Sequence, residues 1–360
     1  MGSRQTPPPL MPIQEFNLRK ITIHSAGSYD KLTFEESPDL QPGTHEVVIN
    51  AKAIGVNFAD ICVRLGVYQS AKEYVGWPIT PGFEVSGTVR SVGASVKKYS
   101  VGEEVIGFTR FNGYATQVRV IEDHVLPIPN GFTLEEAAGF PAVFFTAYHA
   151  IFQNVVLRLN SRVLIHSAAG GVGTALTQLC KAAGFFVVGV IGSSHKRAYL
   201  EKFDPDVIID KSKQDLWTEA EKACPEGYHA IFDANGFSTL KESYNHLRPT
   251  GKLITYGSHS LFSKAGGKLS YLKAGLGLLK TPRFAPLDMI SRNKSVVGFN
   301  LSFLFDQADL ITDCLEGLGR YLETGDIKPI PVTQFDLEKV ADAHRLIESG
   351  KSVGKIILKV

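Results

Sequence analysis

The segment that most constrains this chain is a short β-branched run that ends in a glycine turn and opens a helix. It reads Arg162-Val-Leu-Ile-His, then Ser167-Ala-Ala-Gly170-Gly171-Val172-Gly173, and then a stretch in which Val172, Leu176, Leu179 and Ala183 follow the helical period. Strand, glycine turn and helix in that order are the context in which a Rossmann phosphate loop works. Gly170 lets backbone approach a pyrophosphate, Gly173 lets the helix pack close to the strand, and the amides of Gly171, Val172 and Gly173 at the helix N-terminus bind the anion. Ala168 stands where the usual fingerprint has its first glycine. Context therefore carries the dinucleotide reading against that of an ordinary glycine-rich turn.

The text around this segment alternates in the same way. Strand candidates are Arg162–His166, Phe186–Ile191, Asp206–Asp210, His229–Asp233, Lys252–Tyr256 and Ser295–Phe299. Helix candidates between the first five are Val172–Ala183, Lys196–Phe203, Gln214–Cys224 and Ser238–Leu247. Alternation of this kind predicts the α/β class, with a doubly wound parallel sheet. From Leu18 to about Ile128 the rhythm differs: short β-branched runs between Gly, Pro and Asn read as an all-β, barrel-like domain. The tail returns to short strands with one amphipathic helix, Asp336–Glu348, and a closing strand from Gly354.

A length of 360 residues favours two domains, and 44% hydrophobic residues suffice for large cores. Lys plus Arg is 38 against 36 for Asp plus Glu, so no charge excess points to nucleic acid. Cys62, Cys180, Cys224 and Cys314 form no disulfide framework or zinc knuckle, and reduced thiols imply a cytoplasmic compartment. The apolar stretch Ala137–Phe152 is shorter than a bilayer span. Residues 1–15 are expected to be disordered. Their Met1-Gly2 start fits the bare myristoylation pattern, but a single acyl chain anchors only marginally.

The end of the second strand bears on cofactor choice. An acidic residue there would bind a ribose 2′-hydroxyl. This chain reads Gly192-Ser193-Ser194-His195-Lys196-Arg197, with no carboxylate to repel a 2′-phosphate, two hydroxyls to donate to it and Lys196 or Arg197 to supply charge. NADPH is expected over NADH.

Val163-Leu-Ile-His-Ser-Ala-Ala-Gly-Gly-Val-Gly, with Gln178 and Lys181 after it, resembles the signature of the zeta-crystallin and quinone oxidoreductase family of medium-chain dehydrogenases/reductases. Gly55-Val-Asn57-Phe-Ala-Asp60, Arg64-Leu-Gly66-Val-Tyr68 and Pro81-Gly82-Phe83-Glu84-Val-Ser-Gly87 resemble that family's catalytic-domain text. Asn300-Leu301-Ser302-Phe303-Leu304-Phe305 resembles the branch of the vesicle amine transport protein homologues. The resemblance implies a GroES-like β domain (16–140 and 303–360) interrupted by a Rossmann domain (141–302), with the site in the cleft between them. It also implies zinc-free chemistry, because Phe83 stands where zinc-dependent relatives have a histidine and no four-cysteine lobe is present.

Without a metal, the expected chemistry is hydride transfer to a quinone or other α,β-unsaturated carbonyl compound, whose conjugation accepts it. The protein then aligns the ring and steadies the developing oxyanion. The catalytic candidates are Asn57, as hydrogen-bond partner of substrate or ribose, Tyr68, as donor to the substrate oxygen, and Asp60, positioning either. Each has a plainer reading, as turn residue, interface aromatic and helix cap. By resemblance, Thr146 lies near the phosphates, Lys196 and Lys211 at the 2′-phosphate beside Ser193 and Ser194, and Tyr256 and Gly257 at the nucleotide; relatives often have a tyrosine where Lys211 stands and an arginine near Gly350, where this chain has Lys351. Phe299, Asn300 and Leu301 would hold the nicotinamide. Residues 258–293 interrupt the Rossmann pattern with basic and apolar text in which Gly275 and Gly277 weaken a regular helix. A lid over an apolar substrate is the favoured reading, and contact with an anionic membrane the lesser one. The apolar last strand from Ser295 offers an edge for a homodimer. An enoyl-thioester reductase and a lipid- or vesicle-associated protein with little turnover are the competing functions.

Overall fold

The computed structural model describes residues 18–261, residue 267 and residues 271–360, with residues 271–274 described by backbone alone. The expected disordered start and the acylation pattern lie outside the described residues. So do Phe262 and Leu269 of the expected lid, and the side chains of Tyr271 and Leu272.

In chain order the first domain contains β1 (Leu18–Thr22), β2 (Thr33–Ser37), β3 (Glu46–Val56), α1 (Phe58–Arg64), α2 (Gln69–Tyr74), β4 (Glu84–Val92), β5 (Glu104–Phe108), β6 (Gln117–Ile121), β7 (Val125–Pro127) and α3 (Leu134–Ala137). Next come α4 (Pro141–Tyr148), β8 (Arg162–Ile165), α5 (Gly171–Ala182), β9 (Phe186–Ile191), α6 (Arg197–Leu200), β10 (Val207–Asp210), α7 (Leu216–Ala223), β11 (Tyr228–Asp233), α8 (Leu240–Asn245), β12 (Leu247–Thr255), α9 (Tyr271–Lys280), α10 (Pro286–Arg292) and β13 (Ser295–Gly298). The chain ends with α11 (Ala308–Glu323), β14 (Val332–Asp336), α12 (Val340–Glu348) and β15 (Lys355–Lys359).

Strands β8 to β13 form one six-stranded sheet in the order β10-β9-β8-β11-β12-β13, parallel throughout. Nearly every residue of β8 and β9 is buried because helices cover both faces, which explains their continuous Val/Ile text. The direction of winding reverses between β8 and β11, and in such a sheet the crevice outside that reversal is where ligands bind. The first domain closes around a seven-stranded sheet, β14-β15-β3-β4-β5-β7 with β6 on β3. Its final strands come from the chain's end, so the α/β fold is a Rossmann sheet inserted into a GroES-like β domain.

Two of the helices beyond those that the sequence predicts bear on the Rossmann side. Pro at N1 starts α4, which runs on into a π-helical turn, His149–Gln153. Its apolar text had been weighed only as a membrane span. Among the described residues no helix is long and apolar enough to cross a membrane. The second is α11, whose Cys314 and Leu318 join the core built on Val163, Ile165 and Phe144. Residues 303–360 thus divide: α11 packs on the Rossmann side against α4, while β14, α12 and β15 complete the first domain.

The described part of segment 258–293 is also more regular than expected, because α9 contains both Gly275 and Gly277. Gly277 is there for packing, since a Cβ on it would sit 2.6 Å from Leu261 and 2.7 Å from Phe237. The segment reaches across to the first domain. The His259 ring lies 4.1 Å from that of Phe58, and Arg64 Nη1 donates to the Gly267 carbonyl at 2.8 Å. Strand β13 is one edge of the sheet and β10 the other.

Candidate functional site

The floor of the cleft is built where β3 turns into α1. Asn57 is the N-cap of that helix. Its Nδ2 donates to Glu84 Oε1 at 2.9 Å, and its Oδ1 accepts from Lys355 Nζ at 2.5 Å. Lys355 also pairs with Glu84 Oε1 at 2.7 Å, with side-chain exposures of 3% and 0%. Ala142 N–H, in the first turn of α4, donates to Glu84 Oε2 at 2.7 Å. An ammonium can only donate and a carboxylate only accept, so this pair holds the Asn57 amide in one orientation.

Asp60 is fully buried. Its carboxylate accepts from Asn57 N–H (2.8 Å), Gly82 N–H (2.9 Å) and Tyr114 O–H (3.0 Å). Burial outweighs these donors and pushes its carboxyl up to about 7. Asp60 therefore binds backbone and Tyr114, and it positions Asn57 through the main chain.

Tyr68 O–H donates to Asn300 Oδ1 at 3.0 Å, linking the catalytic-domain text to the segment after β13. The same Oδ1 accepts Ser302 N–H at 3.1 Å. Burial pushes the Tyr68 phenol up to about 12, so it is protonated at neutral pH. Its ring packs edge-on against Phe83 and Phe111, with centroids 5.9 and 6.3 Å away.

At the Rossmann end, Gly170 is the N-cap of α5, and the first intrahelical bond is Thr174 N–H to the Gly170 carbonyl at 2.8 Å. The amides of Gly171, Val172 and Gly173 precede it and face the crevice end of the helix. A Cβ on Gly173 would strike the Ser167 carbonyl and lie 2.6 Å from Ala168 Cα, which is the close helix–strand packing expected. Across the winding reversal, Ser167 Oγ donates to Asn235 Oδ1 at 3.1 Å, while Asn235 Nδ2 is buried with no protein partner. An orphaned donor beside the helix N-terminus suits an anionic dinucleotide, so these residues fit the cofactor. Thr146 O–H donates within its own helix, to Ala142 at 2.6 Å. Tyr256 and Phe299 stack at 6.1 Å, and His149 meets Phe299 edge-on at 4.6 Å. Gly257 packs on Ala234, whose carbonyl a Cβ would approach to 2.7 Å.

The turn after β9 differs from what the sequence predicts. No carboxylate follows β9 in sequence, but β10 supplies one. Ser194 Oγ donates to Asp210 Oδ2 at 2.6 Å, and Ser212 donates to Oδ1 through Oγ (2.6 Å) and N–H (3.0 Å). These donors hold the Asp210 carboxyl below its usual range against the opposing effect of desolvation. One of the two hydroxyls counted for a phosphate is thus already committed. The other, Ser193 Oγ, lies 3.2 Å from His195 Nδ1. Lys196 Nζ donates to the Gly350 and Ser352 carbonyls at 2.7 and 2.8 Å, and His195 Nε2 to that of Lys351 at 3.0 Å. The structure therefore brings Lys351 to this turn. Lys211 Cε passes 3.8 Å from where a Cβ on Gly192 would be.

Phe83 buries a ring against Phe111 at 5.2 Å, and burial pushes the Cys62 thiol up to about 12. Among the described residues no group of three His, Cys, Asp or Glu is placed to hold a metal. The residues missed from sequence are Lys355, Asn235 and Asp210, together with Glu84, which was noted only as a landmark. A lysine heading the apolar closing strand was the one available signal.

Comparison with known proteins agrees with this architecture. Residues 43–139 match the alcohol dehydrogenase GroES-like domain, and residues 204–358 the zinc-binding dehydrogenase family. The chain is 34% identical over 346 residues to the zebrafish (Danio rerio) synaptic vesicle membrane protein VAT-1 homolog, covering 95% of this chain and 70% of that protein. The structure of the human VAT-1 homolog-like protein superposes with a TM-score of 0.80 at 30% identity, over 96% of this chain and 99% of that one. CurK enoyl reductase gives 0.80 at 25% identity, over 95% and 99%. Escherichia coli quinone oxidoreductase complexed with NADPH shares the fold, at 0.78 and 23% identity over 95% and 100%.

Proposed function

The chain belongs to the medium-chain dehydrogenases/reductases, in the quinone-oxidoreductase-like group that holds the VAT-1 homologues, and on that premise we propose that it is an NADPH-dependent reductase of quinones or other α,β-unsaturated carbonyl compounds that works without zinc. The observation that carries this reading is the Tyr68 hydroxyl, protonated and held at Asn300 between the two domains. Bound NADPH supplies the hydride.

The remaining tasks fall to the chain. Tyr68 turns its O–H from Asn300 to the substrate oxygen and stabilises the charge that develops there. Asn300 keeps the Ser302 amide as a partner when this happens. Asn57, clamped by Glu84 and Lys355, presents its second amide hydrogen to the cleft. The amides of Gly171–Gly173 and Asn235 Nδ2 take the pyrophosphate. His259, packed on Phe58, and Gly267, held by Arg64, bring this part of the chain against the first domain and help exclude water there.

NADPH oxidation against quinones, enones and enoyl thioesters tests the proposal. Turnover is expected with a quinone or enone, and Tyr68→Phe should lower kcat roughly 100-fold with NADPH binding intact. Turnover of enoyl thioesters alone would favour the activity named for CurK, and no turnover of any would overturn the proposal. A second reading has its own observation: Leu278, Leu279, Leu287 and Ile290 stand exposed on α9 and α10 beside exposed Lys280 and Arg283. Cosedimentation with anionic but not neutral vesicles, together with no turnover, would favour a lipid-associated role.

A further inference from the structure

The strap of residues 299–306 follows the last Rossmann strand, yet the first domain holds it. Ser302 is buried, and each of its polar groups is taken. Its N–H donates to Asn300 Oδ1 at 3.1 Å, and its Oγ donates to Ser70 Oγ of α2 at 2.5 Å. Its carbonyl accepts from Arg110 Nε, just past β5, at 3.0 Å. Arg110 Nη2 also pairs with Asp306 at 2.7 Å, so one guanidinium ties two points of the strap. That guanidinium packs on aromatic rings, with Cζ 4.0 Å from the centre of Tyr74 and 5.6 Å from that of Phe305.

Helix α2 makes this clasp matter, because its N-cap is Tyr68. One short helix thus carries the proposed donor before its start, Ser70 in its first turn and Tyr74 at its end. Tyr68 O–H and Ser302 N–H share the acceptor Asn300 Oδ1. In the proposed reaction Tyr68 leaves that acceptor for the substrate oxygen, so one tie between the domains is lost just when alignment counts. The bonds from Ser302 to Ser70, and from Arg110 to Ser302 and Asp306, do not involve Tyr68 and persist. A planar guanidinium holds its donors in a fixed fork, which an ammonium cannot copy. Alignment is worth holding, since a misplacement of about 1 Å costs on the order of 100-fold in rate.

We propose that Arg110, seconded by Ser70, is a positioning residue for hydride transfer: it locks the strap to α2, so that a nicotinamide lying against Phe299–Leu301 keeps its distance from the Tyr68 hydroxyl. Neither residue touches the reacting atoms. The inference rests on the reductase reading. Its test is the single-turnover rate constant for oxidation of bound NADPH by menadione or cyclohexenone, whichever the wild type reduces. That constant does not depend on how many molecules are folded, so mere loss of protein cannot imitate the effect. Arg110→Met should lower it roughly ten-fold or more, and Arg110→Lys nearly as far, because charge without the fork does not align the strap. Ser70→Ala should lower it about three-fold, and this mild change stays readable should the Arg110 variants fail to fold. NADPH affinity by fluorescence titration should hold within roughly two-fold, because the amides of Gly171–Gly173 are untouched. Unchanged rate constants in the folded variants of an active protein would overturn the positioning role and leave the reductase reading standing. A fall in NADPH affinity that matches the fall in rate would also overturn it, since the clasp would then serve binding. No turnover of either acceptor by the wild type would sink the reductase reading, and the positioning role with it.

Discussion

The glycine turn and the floor of the cleft are both expected to meet the same cofactor and substrate, yet they are built in opposite ways. The turn is assembled from neighbours: Ser167, Gly170 and Gly173 fall within one strand–helix step, and its tight contact is with its own backbone. The floor is assembled from strangers, with Lys355 lying 298 residues from Asn57. One is held by backbone shape, the other by buried charge. The difference teaches where each is vulnerable: the turn to added volume, the floor to an unbalanced charge.

The contrast breaks most sharply at Lys355. Lys355→Met leaves Glu84 buried without its cation, which should cost about 3–5 kcal/mol in urea unfolding. Adding Glu84→Gln should restore a large part of that loss, whereas if the double variant is no more stable than the single one, charge is not what holds the floor. Asp60 tests the same region by pH. Its carboxyl titrates near 3.8 when unfolded and near 7 when folded, so the folded state holds the extra proton between those values. Stability from this group is highest below pH 4 and falls by up to about 4 kcal/mol as pH rises to 7. Asp60→Asn should flatten that fall, and an unchanged slope would remove Asp60 as its source.

The turn should respond to volume instead. Gly173→Val drives a side chain into Ser167 and Ala168, so about 1–3 kcal/mol of stability should go, together with measurable NADPH binding. Full retention of binding would refute the close-packing account. The smallest effect is expected at the 2′ end, where both kinds of construction meet. Asp210→Asn removes a charge and releases Ser194, so fluorescence titration should show the NADPH-to-NADH preference rising roughly five-fold. A fall would mean that Asp210 organises the phosphate site rather than opposing it.

What was legible in the sequence follows the same division. The six Rossmann strands and the packing role of Gly173 show in periodicity and local context, because the energetics there are local. Strand β3 runs on past Val47-Val-Ile into Ala51-Lys-Ala-Ile, which lacks a run of β-branched residues, because pairing with β4, β6 and β15 forms it. Helix α11 was overlooked although Leu310, Ile311, Cys314, Leu318 and Leu322 keep helical spacing. Its partner, α4, had not been recognised as a helix. Asp210 escaped because two parallel strands set side by side what the chain keeps sixteen residues apart.

The closing strand β15 lies between β14 and β3, and its first residue completes the floor. At roughly 5–20 residues per second, a ribosome needs about 15–60 s to travel from Asn57 to Lys355. Throughout that interval Glu84 has no cation to bury against, and β3 lacks one of its neighbours. The nascent protein therefore emerges with its nucleotide-binding half complete and its substrate-binding half open, and finishes the older half with the newest residues.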